Sequence, residues 1–68
     1  MNLKIEIDRE ADDRWIAEVP DLAGVLAYGM TREEALAKVE ALALRVIADR
    51  IEHGEKIPAV AEAFKVAA

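Results

Sequence analysis

The sequence predicts a small α+β fold: a β-β-β-α-β unit whose antiparallel sheet carries one long helix packed on one face. Two observations lead to this prediction. Hydrophobic and polar residues alternate in the first part of the chain, which is the pattern of strands with one buried face. A run of hydrophobic residues at helical spacing follows, between a capping threonine and a glycine. With 68 residues, the chain is expected to form a single domain, 1–68.

Three segments are predicted to form the strands that precede the helix. Residues 3–7 alternate between hydrophobic and polar, and residues 15–19 repeat the pattern. The charged segment 8–14 between them is typical of a hairpin connection. Pro20 ends the second strand because proline has no amide hydrogen for the ladder. Residues 25–28 are short and apolar, and they predict a third strand.

The helix has a predicted start and a predicted end. Thr31 stands three residues before Glu34, the spacing at which each side chain can cap the other's backbone N–H. Gly54 suits the left-handed position after the last turn, and Pro58 follows it. A helix of some 22 residues measures about 33 Å, whereas a five-residue strand reaches only about 17 Å. The end of the helix is therefore expected to extend beyond the sheet.

Two apolar stripes are predicted on this helix. The first is suited to the sheet, and we expect Leu42 from it, with Trp15 from the second strand, to anchor the core. Its members are Ala35, Leu36, Val39, Leu42, Ala43, Val46 and Ile47. The second stripe widens the apolar arc beyond what one packed face needs. It consists of Ala37, Ala41, Leu44, Ala48 and Ile51.

The second stripe has two interpretations. The preferred one is a self-association interface, because a thin core with three aromatic residues favours support from a partner subunit. The alternative is that the alanines simply favour helix and that Leu44 and Ile51 are ordinary exposed or tail-covered residues.

The tail of the chain also has two interpretations. Phe64 and Val66 alternate with Lys65, which favours a fourth short strand over a cap on the end of the helix.

The charge balance restricts the class of partner. Nine basic and 14 acidic residues give a formal net charge of −5, which disfavours nucleic acid and favours a basic protein. Cysteine is missing from the sequence, so no disulfide or thiolate zinc site is expected. The sequence shows neither the apolar core of a signal peptide nor a membrane span, and a cytoplasmic location is predicted.

Candidate catalytic residues have simpler structural interpretations. His53 lies at the predicted helix end, where an imidazolium would meet the negative end of the helix dipole. The acidic residues of segment 8–14 lack the glycine and distal glutamate of a calcium loop, so a solvated turn is expected. Trp15 has no interleaved basic residues to suggest base stacking. We therefore expect no enzyme activity, no cofactor and no metal site.

Three motifs together resemble one protein family. They are "WIAEVPDL" on the second strand with Gly24 after the corner that follows it, "TREEAL" at the start of the helix and "HGEKIP" after it. In this combination the chain resembles the HicB-like antitoxins of bacteria and archaea, over Leu3 to about Pro58. It departs from the family pattern at Ala23, where proline is usual, and at Met30, where an acidic residue is common.

The resemblance implies a partial ribonuclease H-like fold that self-associates as a dimer or tetramer. It also implies binding to a HicA-type toxin, a small basic RNA-cleaving protein. Full-length antitoxins carry a C-terminal DNA-binding segment, so operator binding by this chain alone is not expected.

Two alternatives to the antitoxin remain open. The first is an RNA-binding module or degenerate nuclease of ribonuclease H-like fold, for which Glu6 and Glu18 could share one sheet face. That face is expected to be exposed, and two carboxylates are too few for paired metal ions. The second alternative is a purely structural homo-oligomer.

Overall fold

The computed structural model describes residues 2–67 of the chain. Three strands form one antiparallel sheet in the order β1-β2-β3, and a long helix follows them. The elements are β1 (Glu6–Arg9), β2 (Trp15–Glu18), β3 (Leu26–Gly29), α1 (Arg32–Glu52) and α2 (Pro58–Ala61). The predicted α+β class, with three strands before one long helix, is confirmed.

The strand register gives the sheet two different faces. Ala17 pairs with Ile7 on one side and Ala27 on the other, and it is fully buried beneath α1. The next residue along β2, Ile16, lies between Asp8 and Tyr28. Because successive side chains point to opposite faces of a sheet, these two rows face in opposite directions. The Ala17 row faces the helix, and the Ile16 row faces outward.

The first strand begins later than the sequence predicts. Pairing starts at Glu6, opposite Glu18, although alternation already begins at Leu3. Past Glu18 the chain turns, since the Val19 amide donates to the Val25 carbonyl at 3.0 Å and Pro20 has no amide hydrogen. Leu3 and Ile5 therefore lie outside the ladder, yet they are partly buried against the core.

The core lies between the sheet and the side of α1 that the sequence predicts. Four members of the sheet-facing stripe, spaced four residues apart from Ala35 to Ile47, are buried, and the other three, Leu36, Leu42 and Val46, are half-buried. Trp15 is also only partly buried, so the predicted core anchors Trp15 and Leu42 lie at the margin of the core. The centre consists of small and medium side chains: Ala17, Val19, Leu22, Val25, Ala35, Val39, Ala43, Ile47 and Val60.

Both ends of α1 have the predicted caps. At the start, the Glu34 amide donates to Thr31 Oγ1 at 3.1 Å. Glu34 Oε1 in turn accepts from the Met30 amide at 3.3 Å, one residue earlier than the usual capping box. At the end, Gly54 has φ +86°, its amide donates to the Ile51 carbonyl at 3.0 Å, and the next amide donates to Arg50 at 2.9 Å. These two bonds form a Schellman motif.

The predicted fourth strand is wrong. The tail instead forms the single-turn helix α2, which begins at Pro58, and no residue from 62 to 67 is in a strand. Proline suits the first position of a helix because its fixed φ is already helical and its missing amide hydrogen is not needed there. Val60 on α2 is buried against the core. The tail therefore covers one end of the structure, as the alternative interpretation of this segment expects.

Candidate functional site

The outer stripe of α1, formed by the five residues of the predicted second stripe, is exposed along its length. Its members are Ala37, Ala41, Leu44, Ala48 and Ile51. The two large side chains have substantial free surface, 56% for Leu44 and 46% for Ile51. The helix therefore carries apolar side chains on its outer side as well as against the sheet. Pairing of this stripe with a second copy stays a prediction.

Two apolar grooves border the outer stripe. On the β1 side, Leu44 lines a groove of about 290 Å³ together with Leu3, Ile5 and Ile47. That volume lies at the lower end of the range for small-molecule pockets, roughly 300–1,000 Å³, and the groove is open to solvent. A groove of this size suits a few side chains from another protein surface better than an enclosed ligand.

On the β3 side, the stripe borders a second, shallower groove. Ala37 and Ala41 line it together with Ala27 of β3 and the half-buried Leu42. Lys38 and Arg45 stand at its margin. The outer stripe thus borders one groove on each side of α1, so a partner lying along the helix could contact both grooves.

A third apolar region lies where α1 extends beyond the sheet. Ile51 from the stripe lines a groove there with Ile57, Pro58 and Phe64. Phe64 is 75% exposed, although it is the largest hydrophobic side chain of the tail. This groove continues the outer stripe toward the C-terminus.

The outer face of the sheet combines acidic and apolar side chains. We use this name for the six outward-facing residues Glu6, Asp8, Ile16, Glu18, Leu26 and Tyr28. Glu6 lies directly opposite Glu18, as the sequence prediction of a shared face requires. The Arg14 guanidinium lies over the Tyr28 ring, 4.6 Å from its centroid.

The sequence prediction did not identify the apolar part of this face. Ile16 is the apolar residue that breaks the alternation of the run "WIAEV", because its position is on the outward side of β2. Segment 25–28 is apolar throughout, so its composition does not show that Leu26 and Tyr28 face outward while Val25 is buried. Strict alternation across β2 and β3 was the signal that could have revealed this face.

The charged connection between β1 and β2 is the solvated turn that the sequence predicts. Arg9 pairs with Asp13 at 3.3 Å, and Arg14 pairs with Asp12 at 2.7 Å, all with exposed side chains. Within residues 2–67, no group of three or more acidic, histidine or cysteine side chains is arranged to hold a metal ion.

His53 has the helix-end position predicted for it. It is the C-cap of α1, and its exposed Nδ1 lies 2.7 Å from the Asp49 carbonyl oxygen. The Asp49 carboxylate lies 3.5 Å from the same nitrogen. These contacts place the imidazole at the end of the helix, where it can donate to one of the last backbone carbonyls.

Comparison of the chain with protein-family models, with curated proteins and with solved structures finds no match. The resemblance to HicB-like antitoxins therefore depends on the residues quoted for it. Two of its features have a definite place in the fold, since "TREEAL" forms the capped start of α1 and Gly54 ends that helix. In the part of the chain that the structure describes, no helix is both long and apolar enough to cross a bilayer.

Proposed function

We propose that this chain is a HicB-like protein, a minimal or orphan antitoxin. In this proposal it self-associates through the outer stripe of α1, and it binds and neutralises a small basic RNA-cleaving toxin of the HicA type. The chain acts by binding proteins and not by catalysis. Its place of action is the cytoplasm.

The exposed outer stripe is the observation that carries this proposal. A helix on the surface of a monomer usually restricts its apolar residues to the side that packs on the core. α1 has a complete buried side, centred on Val39 and Ala43, and still exposes Leu44 and Ile51. Contiguous exposed apolar surface is typical of an interaction site. A second copy of the chain would bury this surface and enlarge a core that contains no fully buried aromatic side chain among residues 2–67.

The net charge supports a basic partner. At −5, the chain attracts a basic protein and repels a phosphate backbone. Complementary charge speeds the encounter between two proteins and selects against wrong partners. The alternative of an RNA-binding module is less well supported, because Tyr28, an exposed aromatic ring on the sheet, shares its face with the three carboxylates of Glu6, Asp8 and Glu18. Those carboxylates oppose the phosphate contacts on which non-specific RNA affinity depends.

Sedimentation equilibrium of Leu44→Glu tests the self-association. The wild-type chain should sediment as a dimer or tetramer, and Leu44→Glu should sediment as a monomer, because a desolvated carboxylate is costly in an apolar interface. Ala11→Glu is the matched control, since it adds the same charge in the exposed β1–β2 turn. Circular dichroism verifies that both variants are folded. A monomeric wild-type chain, or equal dissociation of both variants, would contradict the proposed interface.

Calorimetric titration with a HicA-type toxin tests the second half of the proposal. Binding should weaken steadily as salt concentration rises, because the attraction between exposed charges is screened. An added measurement with single-stranded RNA should give no binding near physiological salt. If RNA binds tightly and the toxin does not, the RNA-binding alternative replaces the antitoxin.

A further inference from the structure

The sheet has one covered face and one uncovered face. α1 packs over the row that contains Ala17, Val19 and Val25, all of which are buried. None of the described elements lies over the outer face, on which Leu26 is 38% and Tyr28 is 39% exposed. A half-covered sheet is common, and its free face is usually polar throughout. Here that face is polar only along β1 and one end of β2.

The polar part of the outer face contains an unfavourable pair. Glu6 and Glu18 are direct cross-strand partners, and like charges in that position destabilise a sheet. Within residues 2–67, neither carboxylate forms an ion pair. Asp8 adds a third negative charge to the same face. A cation placed between Glu6 and Glu18 would convert this repulsion into attraction.

The apolar part lies immediately beside these carboxylates. Leu26 is the β3 partner of Glu18, and Tyr28 is the β3 partner of Ile16. Across the sheet, the outer face therefore changes from acidic on β1 to apolar on β3. The complementary surface has basic side chains at one border and apolar side chains at the other.

We infer that the outer face of the sheet is the docking surface for a protein segment that carries arginine or lysine beside apolar residues. This inference rests on the proposed function, and it assigns the basic partner to a surface distinct from the outer stripe of α1. The two surfaces lie on opposite sides of the sheet-helix unit. Self-association and partner binding can then occur in the same assembly.

Charge complementarity disfavours the two other kinds of occupant. A second copy that docked by the same face would add its own Glu6, Asp8 and Glu18 to the three carboxylates already there. Like charges brought together at an interface cost several kcal/mol. A nucleic acid would place phosphates over the same carboxylates. A basic protein surface is the occupant that relieves the repulsion.

Chemical-shift mapping on the isotope-labelled full chain tests the inference. The probe is a short peptide in which arginine alternates with valine, and its control has glutamate in place of arginine. The arginine peptide should shift the amide signals of β1, β2 and β3, leave those of α1 unchanged, and bind more weakly as salt rises. Shifts on α1, shifts scattered over the surface, or no shifts would overturn the inference.

Two substitutions on the face sharpen this test. Glu6→Gln and Glu18→Gln should each weaken peptide binding roughly two- to fivefold, the effect of one exposed ion pair. Each should also raise the melting temperature of the free chain, because it removes the like-charge pair. Glu40→Gln is the matched control, an exposed glutamate on α1 whose replacement should leave peptide affinity unchanged.

Failure of the docking inference and failure of the proposed function give different experimental results. If the wild-type chain self-associates and binds toxin, but the toxin shifts the signals of α1 instead of the sheet, only this inference fails. If Glu18→Gln lowers stability or leaves affinity unchanged, the inference also fails. If the wild-type chain is monomeric, the proposed interface on α1 fails, and the sheet mapping still decides the inference.

Discussion

Gly29 is the residue on which the contact between sheet and helix depends most directly. A Cβ built at this position would lie 2.5 Å from the Ala35 backbone nitrogen and 3.0 Å from its Cα. These atoms belong to the first turns of α1 and cannot move independently of the helix. The last residue of β3 therefore approaches the helix backbone more closely than any residue with a side chain could.

Gly29→Ala is expected to destabilise the chain by about 2–3 kcal/mol, as overpacking in a rigid position does. Chemical denaturation monitored by circular dichroism gives the change in free energy of unfolding. Gly24→Ala is the matched control: its φ is +79°, but nothing lies within 4 Å of the added Cβ. That strain costs roughly 1–2 kcal/mol. A smaller loss for Gly29→Ala than for Gly24→Ala would contradict the close approach.

Among the elements, α1 has boundaries that capping hydrogen bonds fix at both ends. Its first turn is held by Thr31, Glu34 and Lys38, whose Nζ lies 3.0 Å from Glu34 Oε1. The hydrogen bond from Lys38, then the Met30 amide and then the charge of Lys38 lower the pKa of Glu34 below its ordinary value. The ionised form of Glu34 therefore supports the start of the helix.

The pH dependence of stability should show this contribution. A carboxyl group whose pKa is lower in the folded chain stabilises above its unfolded pKa, about 4.3 for glutamate. The stabilisation is lost as the pH falls through the lower, folded value. Thermal melts between neutral and strongly acidic pH should therefore show a smaller acid-induced loss for Glu34→Gln than for the wild type. Glu33→Gln, which removes a first-turn carboxylate without these hydrogen bonds, is the control. Identical acid-induced losses in Glu34→Gln and the wild type would contradict the assignment.

The elements differ in how far the sequence alone determines them. The limits of α1 could be predicted because Thr31 and Gly54 act through local backbone geometry, which the sequence encodes directly. The structure of the tail could not be predicted, because alternation at Phe64 and Val66 does not show whether a sheet edge is close enough to pair with. The outer stripe was predicted from spacing alone and is exposed in the fold. That Glu18 and Leu26 are neighbours on the outer face could not be predicted without the strand register. The register depends on pairing between segments that are distant in the sequence.

The whole molecule is elongated, with extents of 51 × 20 × 15 Å. This shape follows from a 21-residue helix on four-residue strands, because the helix extends past the sheet it covers. An elongated shape exposes more surface for its volume than a sphere does. The apolar side chains of the outer stripe and of the tail lie on that additional surface.

The melting temperature of the wild-type chain is therefore expected to rise with protein concentration, because association stabilises the folded state by mass action. Differential scanning calorimetry over a wide concentration range measures this dependence. Leu44→Glu, which should remove the association, serves as the control and should melt at one temperature throughout. A wild-type melting temperature that does not change with concentration would contradict an obligate partner subunit.

The C-terminal segment after α1 is attached through few contacts. Val60 is the one buried side chain between residues 53 and 67, and α2 has only four residues, too few to be stable as an isolated helix. Regions with little burial open locally at a much lower free-energy cost than global unfolding. Amide hydrogens of α2 should accordingly exchange with solvent while those of β2 stay protected. Each opening uncovers the end of the core that Val60 covers, so the chain can enlarge its apolar surface without unfolding its sheet.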